Sequence, residues 1–151
     1  MSDAWRRDGR DRYPHHLQIP TRWLDNDLYL HVNNVHYYAF FDTVIGRYLI
    51  EAGGLDIVND AVVGFAVESS CSYFKPLRFP EVIDAGLRVA RLGRSSARYE
   101  IGLFRAGEHD PAAAGYFVHV FVARATQTPS EIPAKLRAAL ERIAPPAPRP
   151  A

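Results

Sequence analysis

One stretch restricts what this chain can fold into more than any other. From Asn34 to about Ala52 most residues are apolar: Val35, Tyr37, Tyr38, Phe40, Phe41, Val44, Ile45, Tyr48, Leu49 and Ile50. On a helical wheel, His36, Thr43, Arg47 and Glu51 fall in one narrow polar stripe. A helix that is apolar around most of its circumference must be enclosed by something else. Gly53-Gly54 ends it, since glycine accepts the left-handed backbone that a helix terminus favours.

The enclosing material is strand. Leu17, Ile19, Thr21 and Trp23 alternate along a first strand. After the helix, Phe65, Val67, Ser69, Cys71 and Tyr73 share one face of a second strand. Ile83, Ala85, Leu87 and Val89 line a third, Ala97, Tyr99, Ile101 and Leu103 a fourth, and Tyr116, Val118, Val120 and Val122 a fifth. The segments between them carry turn chemistry, as in Lys75-Pro76-Leu77-Arg78-Phe79-Pro80 and Leu92-Gly93-Arg94. Such short gaps demand antiparallel neighbours, because parallel pairing needs a long crossover. A last helix carries Ile132, Leu136, Leu140 and Ile143 on one side. An α+β fold, with a five-stranded antiparallel sheet wrapped around the long helix, satisfies every apolar face.

Size and charge narrow the function. A length of 151 residues suits one domain. The hydrophobic share of 48% and charged share of 23% are those of a globular chain. A net charge of +1 gives no field that would draw in nucleic acid or an anionic membrane. No apolar run approaches the roughly 18 residues that cross a bilayer. The lone Cys71 rules out an internal disulfide, and no signal-peptide core follows Met1, so a cytoplasmic protein is expected. Residues 1–12 read as a disordered, charged N-terminal tail, 13–143 as the domain, and 144–151 as a Pro/Ala-rich tail.

The loop before the helix holds the chemistry. Asp25, Asn26, Asp27, His31, Asn33 and Asn34 crowd against the start of the most apolar helix. A helix start offers unpaired N–H groups and a positive dipole end. With Asn33 as N-cap, the N–H of Asn34 points outward and can hold a developing oxyanion. A neighbouring carboxylate can attack a carbonyl carbon or take a proton from water. The same residues also suit plain helix capping.

This stretch resembles the signature of the 4-hydroxybenzoyl-CoA thioesterase family, a branch of the hotdog superfamily. The likeness lies in Asp25-Asn26-Asp27, Tyr29, His31-Val32-Asn33-Asn34, Tyr37, Phe40-Phe41 and Asp42. It continues through Tyr73-Phe74-Lys75-Pro76-Leu77-Arg78-Phe79, Leu92-Gly93-Arg94-Ser95-Ser96, Ala114-Gly115-Tyr116 and Ile132-Pro133, covering about residues 14–143. The chain departs from the family at Ile45, where arginine is frequent, and at Asp42, where glutamate is usual.

The resemblance implies an acyl-CoA thioesterase, with Asp27 as nucleophile or general base and the Asn34 backbone N–H polarising the carbonyl. It implies that Lys75, Arg78, Arg94, Ser95 and Ser96, with Arg98, lie near the nucleotide, and that Tyr37, Phe40 and Phe41 lie near the acyl group. It also implies a homodimer or homotetramer paired through edge strands. Coenzyme A enters only as part of the substrate, and no other cofactor is expected. No metal is expected either, since His31, His36 and His119 have no ligand spacing. Two other functions fit the same fold. One is an enoyl-CoA hydratase using Asp27 and His31; the other is a non-catalytic acyl-CoA-binding module, which would not need Asp27.

Overall fold

The computed structural model describes residues 3–145. The elements run β1 (His15–Pro20), α1 (Tyr37–Glu51), β2 (Val62–Tyr73), β3 (Val82–Leu92), β4 (Ser96–Arg105), β5 (Ala113–Ala123) and α2 (Ala134–Glu141). A 3-10 turn at Asn34–His36 leads into α1, so the expected long helix begins with one tighter turn. The sheet order is β1-β3-β4-β5-β2, and every pair is antiparallel. β1 and β2 are therefore the edges.

Helix α1 buries Tyr37, Phe40, Phe41, Val44, Ile45, Tyr48 and Leu49, the three-four spacing of one helical face. Each such side chain contributes about 1.5–3 kcal/mol relative to exposure. Against it lie Ile83, Ala85, Leu87 and Val89 from β3, with Ala97, Tyr99, Ile101 and Leu103 from β4. These two strand faces match the alternation read from the sequence. The other face of α1 is different. Val35 just ahead of the helix, with Tyr38 and Ile50 on it, stay 65%, 36% and 43% exposed, so one chain encloses only part of the apolar surface. The C-terminal end is closed by α2, where the Tyr48 hydroxyl donates to the Ala139 carbonyl at 2.5 Å.

Two strand faces differ from expectation. A bulge between Ala66 and Glu68 shifts the register of β2 against β5. Ser69, Cys71 and Tyr73 stay in phase, while Phe65 turns to the opposite face, because one extra residue inverts a period-two pattern. In β5 the large buried residues are Phe117, His119 and Phe121 rather than Tyr116, Val118 and Val120, and of the expected face only Val122 is buried. Both faces of that central strand are apolar, so alternation alone does not select the inner one.

The N-terminal tail is also corrected. Residues 4–7 and 10–12 form short 3-10 turns packed on the outer face of the sheet. Arg6 donates to the Ser70 hydroxyl at 2.9 Å, Arg88 pairs with Asp8 at 2.9 Å, and Arg10 pairs with Asp84. Tyr13 is buried beside Gly86 and Gly102, which leave room for its ring. Charge that reads as solvated in the sequence is thus matched by acidic and aromatic groups on the sheet. The Pro/Ala tail beyond Pro145 lies outside the described residues.

Candidate active site

The segment between β1 and α1 folds back on itself. An antiparallel bridge joins Asn26 to Val32, with Asn33 N–H donating to the Asp25 carbonyl at 2.8 Å and Asp27 N–H to the His31 carbonyl at 2.9 Å. Leu30, at the tip, holds a left-handed φ of 64° and donates its N–H to the Asp27 carbonyl. That conformation costs a branched residue about 1–2 kcal/mol. The hairpin is anchored below by Val32 N–H to the Leu77 carbonyl at 2.7 Å and Phe79 N–H to Asn26 Oδ1 at 3.0 Å.

The two aspartates have opposite surroundings. Asp25 is fully buried; its Oδ1 accepts from Arg22 Nε and Nη2 at 3.0 and 2.8 Å, and its Oδ2 from the Arg22 N–H at 2.7 Å. Asp27 is half-buried, and its Oδ1 accepts the Tyr29 N–H at 2.8 Å. Its second oxygen has no partner among the described residues. Asp25 is a structural carboxylate, whereas Asp27 retains an oxygen able to react.

Asn33 caps the helix as the sequence predicts: Oδ1 accepts the Val35 N–H at 3.1 Å and its carbonyl the His36 N–H at 3.0 Å. The N–H of Asn34 has no acceptor among the described residues and sits at an exposed position. Asp27 and Asn34 therefore belong to one hairpin and its exit into α1. Tyr37 follows, buried and edge-on to Tyr73 at 4.9 Å. Burial raises its phenol pKa, a nearby Leu77 backbone hydrogen bond lowers it, and the Asp27 charge adds to the rise.

Not every expected site residue gathers here. Arg78 lies beside the hairpin, 3.4 Å from His31 Nε2. Lys75 is at the same end of the sheet but ion-paired with Glu108 at 2.9 Å. Arg94, Ser95 and Ser96 occupy the β3–β4 turn at the opposite end, so one chain does not bring them to Asp27. Arg98 lies over the Tyr116 ring at 3.9 Å. Phe41 is fully enclosed against Phe117 and is core rather than an accessible acyl contact. Sequence reasoning gave no role to Arg22, which fixes Asp25; its position three residues before that carboxylate was the available signal.

A five-stranded antiparallel sheet around a central helix, with a polar hairpin at the helix start, is the hotdog architecture. A family model for the thioesterase-like superfamily matches residues 21–140, and the chain belongs to that superfamily of thioester hydrolases. The PA5185 protein of Pseudomonas aeruginosa strain PAO1 is 56% identical, with a TM-score of 0.90 over 91% of this chain and 96% of that one. The PA2801 protein of Pseudomonas aeruginosa is 29% identical, with a TM-score of 0.77 over 85% and 98%. A DHNA-CoA thioesterase from Staphylococcus aureus shares the fold at 17% identity, with a TM-score of 0.74 over 85% and 89%. No curated protein matches the sequence. No helix among the described residues is long and apolar enough to cross a membrane.

Proposed function

We propose that the chain hydrolyses an acyl-CoA thioester to the free acid and CoA, in the 4-hydroxybenzoyl-CoA thioesterase branch of its superfamily. The carbonyl oxygen accepts from the Asn34 N–H at the positive end of α1, where charge developing on that oxygen is stabilised. Asp27 attacks the carbonyl carbon or takes a proton from the attacking water. If Asp27 attacks, its oxygen bonds the carbonyl carbon as the C–S bond breaks, and water then hydrolyses that anhydride to release the acid and restore the carboxylate. If Asp27 acts as base, water bonds the carbon directly as the C–S bond breaks, and on either route the thiolate takes up a proton from that water. The carrying observation is the asymmetry of the hairpin: Asp25 has both oxygens bound to Arg22, while Asp27 keeps one free.

The hydratase reading needs Asp27 paired with a histidine. The His31 ring instead meets Arg78, and the Asp27 carboxylate meets the Tyr29 N–H, which favours thioester hydrolysis. A binding module would have no use for a free carboxylate beside an unpaired helix N–H.

The acting species is a homodimer, or a tetramer of dimers, joined through β2. That edge is 12 residues long, with Phe65 and Val67 exposed, and it borders the uncovered side of α1. A long bare apolar edge is a template for another strand. Antiparallel pairing of two β2 edges carries the second copy's Arg94, Ser95 and Ser96 turn toward the Asp27 end, where basic groups suit the CoA phosphates. A cytoplasmic setting suits the free thiol of Cys71, which burial pushes up to about 11.

The test is to size the purified protein by sedimentation and assay each species for thiol release from aromatic, short and long acyl-CoA thioesters. Thiol release confined to a dimer or tetramer is expected. An active, stable monomer would remove the assembly, and thiol release from none of the thioesters would remove the activity.

A further inference from the structure

A cleft of about 670 Å³ runs between α1 and the first half of β2, away from the Asp27 hairpin. Its walls include Leu49, Leu55, Ile57, Gly64 and Ala66, with Asp42, His119 and Arg124 as the charged or titratable groups. Arg124 is held by the backbone carbonyls of Ile57 and Asp60 at 2.7 and 2.9 Å. His119 is different. It is only 6% exposed, and its Nδ1 is enclosed without a hydrogen-bond partner among the described residues. Buried polar atoms are normally paired, and this one, sealed from the cleft, fixes the tautomer of the ring. Burial also lowers its pKa to about 4, leaving the ring neutral. An enclosed ring nitrogen is less costly as a bare acceptor than as an unpaired donor, so the proton belongs on Nε2, the ring nitrogen that is not sealed in.

A second feature points the same way. Gly46 lies in the middle of α1, where glycine destabilises a helix, yet a Cβ built there meets nothing within 4 Å. No contact within the chain requires that glycine. On the opposite wall Gly64 lies against His119, whose Nδ1 would sit 3.0 Å from an added Cβ. Both glycines enlarge the cleft. Measured along the helix, Asp42 lies about 12 Å beyond Asn34. The exposed stripe Val35, Tyr38, Asp42 joins the two places.

Resting on the reading of thioester hydrolysis, we propose that this cleft receives the far end of a medium-chain acyl group, and that His119, with Asp42, hydrogen-bonds a hydroxyl carried there. Neutral imidazole donates, the carboxylate accepts, and a hydroxyl does both. The remaining walls, apart from the tethered Arg124, suit methylene groups.

The experiment measures kcat/KM for thiol release from three substrates: a medium-chain acyl-CoA with a terminal hydroxyl, the unsubstituted chain of the same length, and benzoyl-CoA. The native protein is expected to favour the hydroxylated chain over the plain one by about tenfold. His119→Phe brings that ratio close to one, and His119→Gln, which keeps a donor in place, restores part of it. Gly46→Leu lowers both medium-chain rates relative to benzoyl-CoA. A ratio that is the same in the native and His119→Phe proteins overturns the role of His119, and an unchanged chain-to-benzoyl ratio in Gly46→Leu overturns the cleft as acyl site. Absence of thiol release from all three substrates overturns the hydrolase reading as well.

Discussion

Asp27→Asn is expected to lower turnover of acyl-CoA by about 10²–10⁴-fold, the range for loss of a positioned acid–base group, with little change in thermal stability. The asymmetry follows from the local bonding. Asparagine keeps an Oδ1 in place to accept the Tyr29 N–H, so the hairpin retains the one side-chain bond that Asp27 makes at 2.8 Å. What disappears is the negative oxygen that attacks carbon or deprotonates water. In energy terms this raises the barrier by about 3–5 kcal/mol. Initial rates of thiol release, read beside circular-dichroism melts of both proteins, check the two halves of the claim. Full activity in the Asp27→Asn protein would remove Asp27 from the mechanism.

Two residues earlier, the same kind of substitution is expected to act on stability first. Asp25→Ala removes a buried carboxylate that accepts three hydrogen bonds from Arg22. Hydrogen bonds to charged groups contribute more than neutral ones, so a loss of about 2–4 kcal/mol is expected. Arg22 is 66% exposed, so its freed charge turns to water rather than being stranded, which sets the upper end of that range. For a chain of this size the loss lowers Tm by roughly 5–12 °C. Activity falls too, because the side-chain bonds to Arg22 fix the backbone of residue 25, whose carbonyl accepts the Asn33 N–H and so steadies the hairpin that presents both Asp27 and the Asn34 N–H. Differential scanning calorimetry measures the first effect. An unchanged Tm would show that the Arg22–Asp25 cluster does not hold the loop.

The contrast shows what a sequence reveals and what it hides. The fold was legible because its strongest signals are local. An apolar helix with one polar stripe, the capping Asn33, and the alternation of β3 as far as Val89 and of β4 from Ala97 are each set by neighbouring residues. The features that were missed depend on distant partners. The bulge at Ala66/Glu68 depends on β5, and the choice of inner face in β5 depends on where Phe41 meets Phe117. The arginines of the N-terminal segment looked solvated because Asp84, Ser70 and the Tyr116 ring lie far along the chain. In the candidate site, the resemblance to the thioesterase signature singled out Asp27 and Asn34. It could not show that Asp25 is taken up by Arg22, that Phe41 is sealed in the core, or that the Arg94 turn sits at the other end of the sheet. In the sequence His119 is set aside for want of a metal-ligand spacing; only the packing reveals a buried ring nitrogen without a partner among the described residues.

The central claim is a thioester carbonyl held between the Asn34 N–H and the side chain at position 27. A crystal structure of the Asp27→Asn protein with an uncleaved acyl-CoA tests it directly. The carbonyl oxygen is expected about 3 Å from the Asn34 nitrogen, with the substituted amide side chain facing the carbonyl carbon. A thioester bound elsewhere, out of reach of both positions in either copy of the chain, would contradict it.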